Sequence, residues 1–132
     1  MKLLKRHTDY AIRALLVLMR NKGKKIFSVA YLAEKTKIPY QFLRVILQRL
    51  HKNRLLKAYK GKSGGFSLAK SQDNISLLSI IRIFQGEFRL NECLFRKIVC
   101  PNINKCILRK RLKKIENYVL EELEKIKLSE LA

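Results

Sequence analysis

Two helical segments separated by a tight break occupy residues 27–53, and they constrain the fold more than any other feature of the chain. Ser28 is a good N-cap for a short first helix, because its side-chain oxygen can accept a hydrogen bond from a backbone N–H in the first turn. After a break at residues 35–38, Pro39 is expected to open a second helix, since its φ is already helical and its missing N–H would be unpaired there. The second helix is expected to end near Asn53.

Two short apolar segments follow this helical pair, Leu55–Tyr59 and Phe66–Ala69. The residues between them, 60–65, contain three glycines, which permit the positive φ angles of a hairpin turn. A helix, a turn, a second helix and a lysine-rich hairpin together predict a winged helix-turn-helix. This architecture reads duplex DNA.

The second helix has one apolar and one polar face. The predicted buried stripe consists of Phe42, Leu43, Ile46, Leu47 and Leu50. The opposite face carries side chains that hydrogen-bond base edges, and His51 is expected to contact phosphate or solvent. The residues predicted to bind DNA are Ser28, Pro39, Tyr40, Gln41, Arg44, Gln48, Arg49, Lys57, Lys60, Lys62 and Ser63.

The charge distribution favours a polyanionic partner. The net charge is +20 over 132 residues. Residues 1–70 hold 18 lysines and arginines against Asp9 and Glu34 alone, whereas residues 71–132 hold 12 against 8 acids. Basic charge concentrated on the helix-turn-helix half fits phosphate contacts and counterion release. A nucleic-acid-binding protein without a sensor is the alternative that this charge alone allows. An enzyme is not expected, because no carboxylate pair, Ser/His/Asp set or phosphate-binding loop is visible.

The rest of the chain completes a mainly α fold with a small β-hairpin wing. Thr8 is expected to cap a first helix, and Ser76 to cap a helix that Gly86 ends. We expect one compact domain divided into a DNA-binding part (1–86), a cysteine loop (87–106) and a long amphipathic dimerisation helix (107–132). Its apolar stripe consists of Leu108, Leu112, Ile115, Val119, Leu123 and Ile126. That stripe either packs back on its own domain or pairs with a second copy, and we favour the second copy.

The apolar run 14–19 is too short for a signal peptide or a membrane span, so a cytoplasmic protein is expected. Cys93, Cys100 and Cys106 form the pattern C-x6-C-x5-C. Structural zinc sites usually have C-x2–4-C pairs, so the wider gaps suit an iron–sulfur cluster better, where thiolates reach different irons. Direct thiol chemistry or zinc remains the alternative.

The order of these pieces resembles the IscR/NsrR/RirA family of iron–sulfur transcription regulators, the Rrf2 superfamily. The matching segments are TDYAIRALLVL, LAEKTKIPYQFLRVILQRLHKNRLL, KGKSGGFSLAK and ISLLSIIRIFQG, followed by the three cysteines and a long helix. The resemblance implies a homodimeric winged-helix repressor or activator, of which we favour the repressor. Such a dimer is expected to bind an inverted-repeat operator. The resemblance also implies that a cluster near the dimer interface controls DNA affinity, with Cys93, Cys100 and Cys106 as thiolate ligands.

Two departures from the family pattern bear on the cluster. The first cysteine gap has six residues where the family more often has five, and Arg109 occupies the position of a histidine in IscR-like members. Asp9 matches an acid in the first helix of NsrR-like members, which favours a 4Fe–4S over a 2Fe–2S cluster and a nitric-oxide or redox signal. Asp9 is therefore the expected fourth ligand. His7, Glu92 or an external thiol or water are the alternatives.

Overall fold

The computed structural model describes residues 2–21, 23, 25–69, 74–90 and 105–132. Within these residues the chain is mainly helical with one two-stranded antiparallel sheet, which confirms the predicted fold class. The elements are α1 (Arg6–Arg20), α2 (Val29–Thr36), α3 (Tyr40–Lys52), β1 (Leu56–Tyr59), β2 (Gly65–Leu68), α4 (Leu77–Gln85) and α5 (Ile107–Lys125), and a short 3-10 turn (Leu128–Glu130) follows α5. In the described part of the chain, no helix is both long enough and apolar enough to cross a membrane.

The helix-turn-helix forms as predicted, with one change at its turn. Ser28 caps α2 by accepting a hydrogen bond from the Tyr31 N–H at 3.1 Å. The turn is made by Lys37, whose left-handed φ of 61° ends α2, and by Ile38, which is buried in the core. Pro39 is the N-cap of α3, where its ψ of 136° is extended, and is not the first helical residue as expected. The proline still stiffens the turn, because its φ of −55° is fixed by its ring.

The buried stripe of α3 consists of Leu43, Ile46, Leu47 and Leu50, each fully buried. Phe42, which was expected to belong to it, is 52% exposed. Phe42 is exposed because it precedes Leu43 by one residue, which corresponds to a rotation of about 100° around the helix. That step places its ring on the flank of α3, beyond the reach of α1 and α2.

The wing is a hairpin held against the body of the domain. Leu56 pairs with Leu68 and Tyr59 pairs with Gly65. A further bridge joins Phe27 to Phe66 through two backbone hydrogen bonds of 2.8 Å each. Gly65 is required for this contact, because a Cβ at that position would meet the Phe27 carbonyl oxygen at 2.1 Å. The residue before α2 is thus fastened to the second strand of the wing.

The first turn of α1 is fixed by a side chain from a distant helix. Thr8 does not cap α1, which begins at Arg6 with Lys5 as its N-cap. Thr8 is instead fully buried, and its hydroxyl donates to Gln85 Oε1 at 2.6 Å. The same oxygen accepts from the Lys5 N–H at 2.8 Å, and Gln85 Nε2 donates to the Leu3 carbonyl at 3.1 Å. Gln85, the last residue of α4, therefore performs the capping expected of Thr8.

The two ends of α5 have different surroundings. At its C-terminal end Leu123 is buried, and Leu128 beyond it is buried and donates its N–H to the Ile75 carbonyl. Nearer its start, the large apolar side chains of Ile107, Leu108, Ile115 and Tyr118 are between 53% and 72% exposed. Part of the predicted stripe therefore packs back on its own domain and part does not. The predicted divisions at residues 86 and 106 stay predictions, because residues 91–104 lie outside the described part of the chain.

Candidate functional site

The outward face of α3 presents polar and basic side chains together. Gln41, Arg44, Gln48 and Lys52 are all exposed, and they recur at intervals of three or four residues, which places them on one side of the helix. With Val45, Arg49 and Asn53 they line a single shallow depression. Glutamine and arginine are side chains that hydrogen-bond base edges in the major groove. The predicted base-reading residues Gln41, Arg44 and Gln48 are therefore next to one another on one exposed surface.

Arg49 differs from its neighbours on α3. The centre of its guanidinium lies 5.4 Å from the ring centroid of Phe84, within the range of a cation–π contact. Phe84 belongs to α4 and directly precedes Gln85. This contact holds Arg49 toward α4, and its predicted contact with DNA stays a prediction.

The N-terminal ends of α2 and α3 carry the predicted contacts Ser28, Pro39 and Tyr40, and all three are exposed. The Ser28 oxygen accepts the Tyr31 N–H, and a serine hydroxyl that accepts a bond still has its own hydrogen to donate. Tyr40 is 48% exposed at the start of α3. Polar groups at helix N-termini suit phosphate oxygens, because the helix dipole favours negative charge there.

The wing carries the remaining predicted contacts. Lys57, Lys60, Lys62 and Ser63 are all exposed. The orientation of the wing relative to α3 is set partly by His51, whose Nδ1 lies 3.0 Å from the Leu56 carbonyl oxygen. Because a carbonyl only accepts, Nδ1 is the donor in this bond. His51 thus links the end of α3 to β1, a contact that its expected role at phosphate or solvent did not include.

Of the three cysteines, Cys106 lies within the described residues, whereas Cys93 and Cys100 lie outside them. Cys106 is the N-cap of α5 and is half-buried, and its sulfur accepts the Arg109 N–H at 3.4 Å. Among residues 2–21, 25–69, 74–90 and 105–132, no three His, Cys, Asp or Glu side chains are grouped closely enough to hold a metal ion. Whether the three cysteines meet therefore stays a prediction.

Asp9 lies in the first turn of α1, as expected. Its carboxylate forms an ion pair with Arg13 one turn later, at 2.9 Å, and its side chain is 41% exposed. His7, the alternative ligand, is exposed two residues earlier, and Glu92 lies outside the described residues. Asp9 is adjacent to Thr8, so the Gln85 contact fixes the turn that carries this candidate ligand.

Sequence reasoning missed two residues around this site. Val45 is absent from the predicted outward face, although a step of 100° per residue from Leu43 would have placed it there. Gln85 gives no local signal, because its partners Lys5 and Thr8 are about eighty residues away in sequence. Within α3, Phe42 is therefore the predicted stripe residue that is exposed, and Val45 is an exposed residue to which the sequence analysis assigned no face.

Comparison with known proteins adds independent information. A family profile described as "Rrf2: Iron-dependent Transcriptional regulator" matches residues 4–132. The transcriptional regulator NsrR of Oceanobacillus iheyensis is 30% identical over 131 residues, covering 92% of this chain and 89% of the relative. Protein aau3 of Rhizobium meliloti is 30% identical over 122 residues, covering 92% and 79%.

Solved structures share the fold at lower identity. The cysteine regulator CymR of B. subtilis superposes with a TM-score of 0.81 at 22% identity, covering 100% of this chain and 97% of that one. IscR of T. potens gives a TM-score of 0.75 at 21% identity, covering 99% and 85%. These structures show a shared fold. The matched family profile describes transcriptional regulators, which are not enzymes, in agreement with the expectation from the sequence.

Proposed function

Because the chain belongs to the Rrf2 family of DNA-binding transcriptional regulators, we propose that it is a homodimeric repressor whose affinity for an inverted-repeat operator is controlled by a 4Fe–4S cluster. The observation that carries the DNA-binding part is the exposed row of Gln41, Arg44 and Gln48 on α3. The three cysteines and the iron dependence in the family's description support the cluster.

In this proposal α3 enters the major groove and the wing contacts the backbone. Arg44 suits guanine O6 and N7, and Gln41 and Gln48 suit adenine N6 and N7. Lys60 and Lys62, on the tip of the wing, hold phosphate or reach the minor groove, and they set affinity rather than sequence. The His51–Leu56 bond keeps the wing at a fixed position relative to α3, so both contacts are made together.

A second copy of the chain is proposed to cover the exposed apolar face of α5. Ile107, Leu108, Ile115 and Tyr118 are each more than half exposed on one helix, and clustered apolar surface of this kind is typical of an interface. The opposite end of α5 is anchored in the domain by Leu123. A dimer through α5 would place two copies of α3 about one helical turn of DNA apart, or a multiple of it, which is the geometry of an inverted repeat.

Cys93, Cys100 and Cys106 are the residues that would hold the cluster. Cys106 suits this role, because its sulfur lies at the N-terminal end of α5 beside the N–H of Arg109, and N–H donors stabilise an anionic ligand. When bound, a 4Fe–4S cluster supplies redox-active iron that reacts with nitric oxide and oxygen. Cys106 is also the cap of α5, so a change in what its sulfur binds changes the helix turn that begins at Ile107. This is the proposed connection between the signal and the dimer.

Asp9 is proposed as the fourth ligand. A carboxylate is a hard ligand beside three soft thiolates and would bind iron weakly, which would leave one iron accessible to a small molecule. The Asp9 carboxylate is 41% exposed and forms an ion pair with Arg13, so ligation would replace that ion pair. Arg109, by contrast, has no lone pair to offer and is excluded as a ligand.

The test is the visible spectrum and the iron and sulfide content of protein purified without oxygen. A brown sample whose Cys100→Ala variant is colourless supports the proposal. Asp9→Ala is expected to keep the cluster with an altered spectrum and an altered rate of reaction with nitric oxide, whereas Glu130→Ala, a distant acid near the C-terminus, should match the parent. A colourless parent that contains zinc or no metal would contradict the cluster and favour direct thiol or zinc chemistry.

A further inference from the structure

One apolar side chain lies at the centre of the polar face of α3. Val45 is 65% exposed, and it follows Leu43, the middle of the buried stripe, by two residues or about 200°. It is therefore almost opposite the core and points away from the domain. Gln41, Gln48 and Lys52 share this outermost line of the helix. A polar residue would be the ordinary choice at this position.

The neighbours of Val45 decide between a protein partner and DNA. Arg44, Gln48 and Lys52 line the same depression as Val45, and no acidic residue does so. An apolar protein surface pressed on Val45 would strip water from these cationic and amide groups without replacing their hydrogen bonds, which is costly. Lysine is moreover depleted in the centre of protein–protein interfaces. A DNA groove instead offers acceptors for the cations and base edges for the amides.

The major groove contains one apolar group of matching size, the C5-methyl group of thymine. Adenine, its partner in the same base pair, presents N6 and N7 to glutamine. Gln41 precedes Val45 by about 6 Å along the helix axis, and Gln48 follows by about 4.5 Å, at 1.5 Å per residue. These spacings correspond to one or two base-pair steps of about 3.4 Å. A valine between two glutamines therefore matches neighbouring T·A pairs.

We propose that Val45 reads the methyl group of one thymine in each half-site, and that Val45 is a specificity-determining residue of α3. The inference rests on the proposed function, in which α3 enters the major groove. Arg44, next to Val45, would read an adjacent guanine, so the half-site combines a T·A-containing core with a G·C pair. Phe42, three residues earlier and 52% exposed, lies on the flank of the same face and limits how far α3 can rotate in the groove.

The test removes the methyl group from the DNA and the side chain from the protein. A duplex is first enriched from a randomised pool with the full-length, anaerobically purified chain. Each thymine of one half-site is then replaced in turn by deoxyuridine, which keeps base pairing and lacks only the methyl group. One position is expected to weaken binding about fourfold, because burying one methyl-sized group contributes about 0.8 kcal/mol.

The same thymine and uracil duplexes are then titrated with two protein variants. Val45→Ala should bind the thymine duplex more weakly than the parent and show no further loss on the uracil duplex. Its fold is expected to be intact, because Val45 is exposed and alanine favours a helix. Lys52→Ala is the matched control on the same line of α3. It should weaken binding to every duplex and keep the full uracil penalty of the parent, since in this proposal the Lys52 ammonium meets phosphate and not the thymine methyl group.

The outcomes separate this inference from the proposed function. A pool that yields no enriched sequence would overturn both. An enriched duplex that tolerates uracil at every position, or a uracil penalty that persists in Val45→Ala, would overturn the thymine contact and leave DNA binding in place. Val45→Ala binding as tightly as the parent would also overturn the thymine contact.

Discussion

Replacing Gly65 with alanine tests how firmly the wing is fastened to the domain. The φ of Gly65 is +153°, and a Cβ there would lie 2.1 Å from the oxygen and 2.6 Å from the carbon of the Phe27 carbonyl. Both neighbours are backbone atoms, so neither can move aside as a flexible side chain would. The strand must shift, and the shift breaks the two 2.8 Å hydrogen bonds between Phe27 and Phe66.

The expected loss of stability follows from the two broken hydrogen bonds and the unfavourable backbone conformation. Each backbone hydrogen bond contributes about 1 kcal/mol, and an alanine at a φ that favours glycine costs about 1–3 kcal/mol. Gly65→Ala should therefore lower the free energy of unfolding by about 3–5 kcal/mol. The measurement is urea unfolding of the reduced protein followed by circular dichroism.

Two other glycines provide matched controls. Gly61 has a φ of +99° with no atom within 4 Å of its added Cβ, so Gly61→Ala should show only the backbone cost of about 1–3 kcal/mol. Gly23 also has no described atom within 4 Å of its added Cβ, so Gly23→Ala should show no steric cost. A Gly65→Ala protein no less stable than Gly61→Ala would refute the close approach of Phe27.

Three further predictions concern the DNA surface, the dimer and the α1 anchor. Arg44→Ala should weaken binding to the enriched duplex by about 1–3 kcal/mol and relax base preference at one position. Lys62→Ala should weaken binding to all duplexes and lower the slope of log affinity against log salt concentration by about one. If both variants lose equal affinity for specific and nonspecific DNA, α3 is not the base-reading helix. The double variant Leu112→Lys, Ile115→Lys should sediment as a monomer. Asn117→Lys, which lies on the opposite side of α5 from these two residues, should remain a dimer. A double variant that still sediments as a dimer would exclude α5 as the interface. Gln85→Ala should lower the free energy of unfolding in urea by about 1–3 kcal/mol, because the buried Thr8 hydroxyl loses its acceptor. Gln85→Glu, which keeps a side-chain oxygen, should lower it less. A Gln85→Ala protein as stable as the parent would contradict the capping role of Gln85.

Local signals in the sequence predicted most elements of the fold. Ser28 and Ser76 cap their helices as expected, and the glycine-rich turn joins two strands within one residue of the predicted bounds. These features depend on a few neighbouring residues, which is why the sequence alone reveals them. Thr8 was assigned wrongly because the real cap is supplied by Gln85, and nothing near either residue in sequence indicates that contact.

The candidate site was predictable only in part, for physical reasons. The outward face of α3 follows from helical periodicity. The prediction is wrong at Phe42, because a residue on the flank of a stripe is buried only where a neighbouring element covers it. The division of α5 into an anchored end and an exposed end depends on the segments around Ile75 and Leu128, which pair far apart in sequence. Ligation by Cys93 and Cys100 stays a prediction, since both lie outside the described residues.

The most direct test of the proposal that a cluster controls DNA binding is to measure DNA affinity before and after the cluster is destroyed. The parent, purified without oxygen, is titrated against the enriched duplex and against an unrelated duplex, and both titrations are repeated after treatment with nitric oxide. The account predicts that affinity for the enriched duplex changes at least about tenfold, which corresponds to a coupling of about 1.4 kcal/mol, while affinity for the unrelated duplex stays constant. Cys100→Ala should bind equally with and without nitric oxide. A parent that carries iron and sulfide yet binds the enriched duplex with unchanged affinity after their loss would contradict the account.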